Sequence, residues 1–153
     1  ATFSPDVVGS VHEMTMFADR QFDAVIASHV LEHMAEPYLN PSLREIARVG
    51  SHAIISLPIA GRHFQIRWKA DIKGLDRSVI IDLFNAFHRP DGVTPRYSQG
   101  QHFWEVGMRG FRKKDLLRRI SRFFEIANVY RNPDWNPSMT FLLHSCFSRR
   151  SSG

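Results

Sequence analysis

Seven residues constrain this chain more than any others: Phe22–Ser28, FDAVIAS, an apolar run closed at both ends by polar side chains. A run that short is too brief for an independent helix and suits a strand buried in a parallel sheet. A second such run, Ala53–Leu57 (AIISL), stops at Pro58. Between them Ser42–Val49 (SLREIARV) places Leu43, Ile46, Ala47 and Val49 on roughly one helical face, and Gly50 is the natural stop. Strands alternating with helices imply an α/β domain with a mostly parallel sheet.

The remaining segments extend that pattern. Asp6–Val11 (DVVGSV) reads as a strand, and Ser78–Phe87 as a helix with Val79, Ile80, Leu83 and Phe87 inward. Lys113–Phe124 is helical by the spacing of Leu116, Leu117, Ile120, Phe123 and Phe124. FEIANVY and TFLLHSCF then read as strands joined by the turn RNPDWNP, which predicts an antiparallel hairpin at the sheet's C-terminal edge. Residues 90–110 are loop-rich. At 153 residues the chain suits one domain, 1–148, followed by a frayed tail, 149–153.

Composition narrows the function classes. The sequence is 43% hydrophobic and 23% charged, with no apolar run long enough to span a membrane and no signal-peptide pattern at its start. Cys146 is the single cysteine, so no internal disulfide forms, which fits a reducing, cytoplasmic setting. The formal charge is +5, concentrated in Arg109–Arg122 and Arg149-Arg150. Such a balance favours acidic partners, but it equally describes a solvated helix face. No stacking platform is interleaved with the basic helix Lys113–Arg122, so nucleic acid is possible as a partner but not indicated.

His29-Val30-Leu31-Glu32-His33 fits H-x-x-E-H, in which two His bind zinc and the Glu activates water. That use needs both His on one helix face. Here His29 directly follows AVIAS, which places it in a strand-to-helix turn facing another way. Ligands of open α/β sheets gather at the carboxyl ends of strands, where both His29–His33 and Pro58–His63 fall.

The stretch SPDVVGSVHEMTMFADRQFDAVIASHVLEH, continued by LREIARVGSHAIISLP, resembles the middle of class I S-adenosylmethionine-dependent methyltransferases. GQHFWEVGMRGF is similar to the H-[YF]-W-E-x-G segment of one subgroup. The resemblance implies a Rossmann-like sheet and methyl transfer from S-adenosylmethionine to an unidentified acceptor. It implies that Ser28, His29 and Val30 line the methionine end of the cofactor, with Ser10, Val11 and His12 beside its adenine. Many members carry an acidic residue at the adenine edge, where this chain has Ser10 and Val11. Glu32 and His33 would open the next helix, where the N-terminal dipole favours a carboxylate.

The family's glycine-rich turn has no counterpart in residues 1–21. The expectation is a sheet incomplete on its N-terminal side, as a piece of a longer enzyme or a shortened relative. Its exposed apolar surface would invite homo-oligomerisation. A competing expectation follows: a non-catalytic, methyltransferase-like assembly subunit. On the substrate side the candidates are His33, His63, Phe64, Trp104 and Glu105, with His29 and His102 as catalytic bases. Some methyltransferases acting on RNA 3′ ends bind a divalent metal at E-x-x-E-H. In this chain His29, Glu32 and His33, with His63 or His102, are set against a plain cleft-lining reading, and no metal is expected.

Overall fold

A computed structural model describes residues 4–60, 63–72, 75–84, 102–132 and 138–149. Strand β1, Phe22–Ser28, leads through one 3-10 turn, Leu31–His33, into helix α1, Glu36–Val49. The helix starts six residues before the expected Ser42, because both of its prolines are accommodated. Pro37 sits in the first turn, where no N–H is needed. Pro41 lies inside the helix, where its missing N–H leaves the Pro37 carbonyl without the usual donor one turn on; Ser42 Oγ separately donates a 2.7 Å bond to the Tyr38 carbonyl.

Strand β2, Gly50–Pro58, follows α1 with no loop between them. Two hairpin strands come next, β3 (His63–Ile72) and β4 (Leu75–Phe84). Helix α2, Lys113–Ile120, precedes β5 (Phe124–Asn132) and β6 (Ser138–Ser145). The main sheet has the order β1-β2-β6-β5, while β3 and β4 form a separate two-stranded sheet. β1 and β2 are parallel, from Phe22↔Gly50 to Ser28↔Ser56, whereas β6 runs antiparallel to both β2 and β5. The antiparallel β5–β6 pair is the expected C-terminal hairpin; its register shifts between Ile126 and Asn128.

Three local expectations are corrected. Residues 78–84 belong to strand β4 instead of a helix, paired residue by residue with β3 from His63↔Phe84 to Ile72↔Leu75; residues 85–87 lie outside the described residues. A short apolar run fits both periods, and with β-branched Val79, Ile80 and Ile81 a partner strand of equal length decides. Asp6–Val11 forms no strand; its one bridge is Ser10↔Glu13, and Val8 is 85% exposed. β-branched residues hold a strand only when a neighbour pairs with them. Helix α2 ends at Ile120, before Phe124, which instead opens β5. Residues 90–101, 133–137 and the end of the tail, 150–153, lie outside the described residues.

The core fills one face of the sheet. Leu39, Leu43, Ile46 and Ala47 of α1, alternate residues Ala53, Ile55 and Leu57 of β2, and Phe141 and Leu143 of β6 are all buried together, with Leu116 and Ile120 of α2. The opposite face is open: Ile26 is 70% exposed, and its register partner Ile54 is 36% exposed. β1 is therefore not buried on both faces, and Ala27 is its one fully buried residue. Among the described residues no helix is long and apolar enough to cross a membrane.

Close packing at Gly50 and a clasp at Arg48 help to fix α1 to its surroundings. Gly50 caps α1 and begins β2, and a Cβ there would meet Val25 Cγ2 at 2.7 Å. Arg48, in the last turn of the helix, donates to the carbonyls of Met14 and Phe17 and to Asp19, and makes two bonds to Glu45. Glu45 in turn accepts from the Met14 amide at 2.9 Å. This clasp docks residues 14–19 onto the helix.

Gly50→Ala should lower stability by about 1–3 kcal/mol, because overpacking forces β1 and β2 apart; urea denaturation reads it. The hydrogen bond from Arg48 holds the Glu45 carboxyl below its ordinary value of 4.5. A carboxyl with a depressed folded pKa stabilises fully above that ordinary value and loses its contribution as pH falls through the lower, folded one. Glu45→Gln should therefore cost about 1–3 kcal/mol at neutral pH, and the gap from wild type should close on acidification. A gap independent of pH would remove the carboxyl from the account.

Candidate functional site

The chain leaves β1 at the carboxyl end of the parallel pair and turns sharply. His29 has φ +54°, and its amide donates to the Ser56 carbonyl at 3.0 Å. For a residue with a Cβ that left-handed conformation costs about 1–2 kcal/mol, so the pairing with β2 holds it there. Ser28 and Val30 on either side are exposed. The 3-10 turn then buries Leu31 and Glu32 and leaves His33 outside.

His29 and His33 do not share a helix face, so the peptidase arrangement is not formed. Nor does a three-residue turn offer the helix dipole expected to favour Glu32.

A distant segment closes over this end. The Phe103 amide donates to the Glu32 carbonyl at 2.8 Å, the Val106 amide to Pro58 at 2.9 Å, and the Ala60 amide to Val106 at 2.9 Å. Residues 103–106 are thereby laid along the end of β2. Trp104 enters the core: it is 1% exposed, stacks on Phe111 at 4.5 Å and donates through Nε1 to the Met34 carbonyl at 2.9 Å. Phe103, 61% exposed, is the aromatic that faces outward here.

Two imidazole–carboxyl pairs result. His102 Nδ1 lies 2.9 Å from Glu105 Oε1, with the His side chain 8% and the Glu 0% exposed. His29 Nδ1 lies 3.3 Å from Glu32 Oε1, with the imidazole still 31% exposed. The His33 and His102 rings meet edge to face at 4.8 Å. Neither Glu32 oxygen, nor Glu105 Oε2, accepts a hydrogen bond among the described residues. A buried acceptor left without a donor costs about 1–3 kcal/mol, more if charged. The sequence offers Glu32 only as a possible metal ligand at a helix start; its burial without a donor is legible only in the fold.

Of the residues expected to act, His29, His33, His102 and Glu105 come together here. Ser28 and Val30 flank them. Ser10, Val11 and His12 form a turn of their own, in which Ser10 Oγ is 2.6 Å from His12 Nδ1 and the His12 ring packs 4.6 Å from Tyr38 of α1. His63 and Phe64 open β3, opposite Phe84 and Leu83.

Residues 2–53 match the family described as a methyltransferase domain. The structure is similar to that of the PH0226 protein from Pyrococcus horikoshii OT3, with a TM-score of 0.53 and 13% identity over 91% of this chain and 58% of that one. The fold is that of a class I methyltransferase. This chain thus spans little more than half the length of that neighbour. No curated protein matches the sequence. The family match covers His29, Glu32 and His33 and ends inside β2; His102 and Glu105 lie outside it and reach the same strand end only through the tertiary fold.

Trp104→Phe should lower stability by about 1–2 kcal/mol through the lost bond to Met34, read by chemical denaturation. Unchanged stability with weakened ligand binding would instead make Trp104 a substrate contact.

Proposed function

We propose that the chain takes part in S-adenosylmethionine-dependent methyl transfer at the carboxyl ends of β1 and β2. The observation that carries this reading is the methyltransferase-domain match across the turn where His29 leaves the sheet. The exposed Ser28 and Val30 with half-exposed His29 offer a mixed polar and apolar rim that suits the methionine end of the cofactor. Ser10, Val11 and His12 are the residues for its adenine side. When bound, the cofactor supplies an electrophilic methyl group.

The chain's own residues orient the acceptor and take its proton. Positioning supplies much of the rate of such a displacement, and a base matters when the nucleophile is protonated. His29 and His102 are the bases, each beside a buried carboxyl. His33, His63, Phe64 and Glu105 stand on the acceptor side, with an unidentified small molecule or macromolecule as acceptor. The lone Cys146 supports a cytoplasmic setting.

A second reading has its own observation. Ile26 and Ile54 form an apolar row on the open sheet face, beside the edge of β1 that no other described strand pairs with. Such a face favours self-association and suits a methyltransferase-like assembly subunit without catalysis of its own.

Calorimetric titration with S-adenosylhomocysteine, with the mass followed by light scattering, separates the two. Saturable binding near one ligand per chain, weakened at least about 10-fold in His29→Ala, is the expected outcome. A well-folded dimer with no binding at millimolar ligand would favour the assembly subunit.

A further inference from the structure

The geometry points to a divalent transition-metal site formed by Glu32, His33 and His102, with zinc as the cation its donors suit. One ligand atom from each residue lies within 4.8 Å of the other two. Tetrahedral ligands about 2.1 Å from a zinc ion are about 3.4 Å apart, so side-chain rotations of roughly 1–1.5 Å close the set. The three residues come from a turn after β1 and from the segment that crosses it, which the Phe103–Glu32 backbone bond clamps together.

Glu32 supplies evidence independent of this proximity. It is 0% exposed, and both carboxyl oxygens are without a hydrogen-bond donor among the described residues. The nearby His29 Nδ1, 3.3 Å from Oε1, is a contact and not a directed hydrogen bond. A carboxylate is an acceptor, and a cation is the partner that matches a buried acceptor whose oxygens receive no hydrogen bond.

Glu105 adds the second element of such sites. It holds His102 through Nδ1 at 2.9 Å, and a carboxyl on one ring nitrogen sets the tautomer that presents the other, Nε2, to a metal.

Two imidazoles and one carboxylate favour zinc or a neighbouring late transition ion over magnesium or calcium. Three protein ligands leave room for a fourth from water or from an oxygen of the acceptor. This differs from the peptidase pattern read in the sequence: Glu32 is a ligand and not a base, and His102 replaces His29. With the cation in place His102 is a ligand, so proton removal at this site falls to His29. The site shares His33, His102 and Glu105 with the methyl-transfer reading, but the metal is expected to bind whether or not a methyl donor does, so the two fail separately.

The test is titration of the tag-free, chelator-stripped full chain with zinc chloride by calorimetry, with magnesium as the control and cobalt(II) as a spectroscopic probe. One zinc per chain with a Kd of about 10 μM or tighter is expected, with no comparable magnesium binding. Cobalt should give visible absorption typical of a low-coordinate nitrogen–oxygen site. Glu32→Gln and His33→Ala should each weaken zinc at least about 10-fold; His33 is exposed, so its variant keeps the fold, which circular dichroism confirms. Absence of saturable zinc binding by the folded wild type would overturn the site, as would equal binding by both variants.

Discussion

The carboxyl end of β2 is the constraint on which the rest depends. Among the described strands this is the one flanked by a parallel neighbour on one side and an antiparallel one on the other. Its inward residues Ala53, Ile55 and Leu57 meet α1, and its last carbonyls hold the site. Ser56 takes the amide of His29, and Pro58 takes that of Val106. Backbone groups buried at a strand end must find partners, and here satisfying them brings together two segments some seventy residues apart. The left-handed turn at His29 is an outcome of that pairing.

The same arrangement explains why polar groups are retained in a closed place. Residues 103–106 seal the strand end with Trp104, whose indole fills the core and hydrogen-bonds Met34. Sealing it encloses Glu32 and Glu105 beside His29, His33 and His102. A purely structural lid would be more stable with apolar residues at those positions, since each unmatched acceptor opposes folding. A site that must bind a ligand, hold a proton acceptor or take a cation needs them. The clasp of Glu45 and Arg48 secures residues 14–19 separately, so the first segment and the strand end are held by different interactions.

Much of the fold was legible in the sequence where local pattern and final environment agree. FDAVIAS, AIISL, FEIANVY and TFLLHS become strands, and the inward face of SLREIARV is the buried face of α1. Where a neighbour decides, the pattern was silent. The run Ser78–Phe84 fits a helix by spacing, yet pairs as β4 with a strand of equal length. Asp6–Val11 has the β-branched residues of a strand, yet none pairs with it among the described residues.

For the site, residue types and place follow from local pattern alone: a His-rich stretch at the end of a parallel strand, and a second His with an acidic residue three positions later. Spacing along the chain carries that much, because strand, turn and side-chain chemistry are local. Only the tertiary structure decided that His102 meets His33, that Trp104 belongs to the core, and that Glu32 is buried without a donor. The reason is physical. Burial and hydrogen-bond satisfaction are set by what packs over a residue, and over Glu32 that is a segment the sequence places seventy residues away.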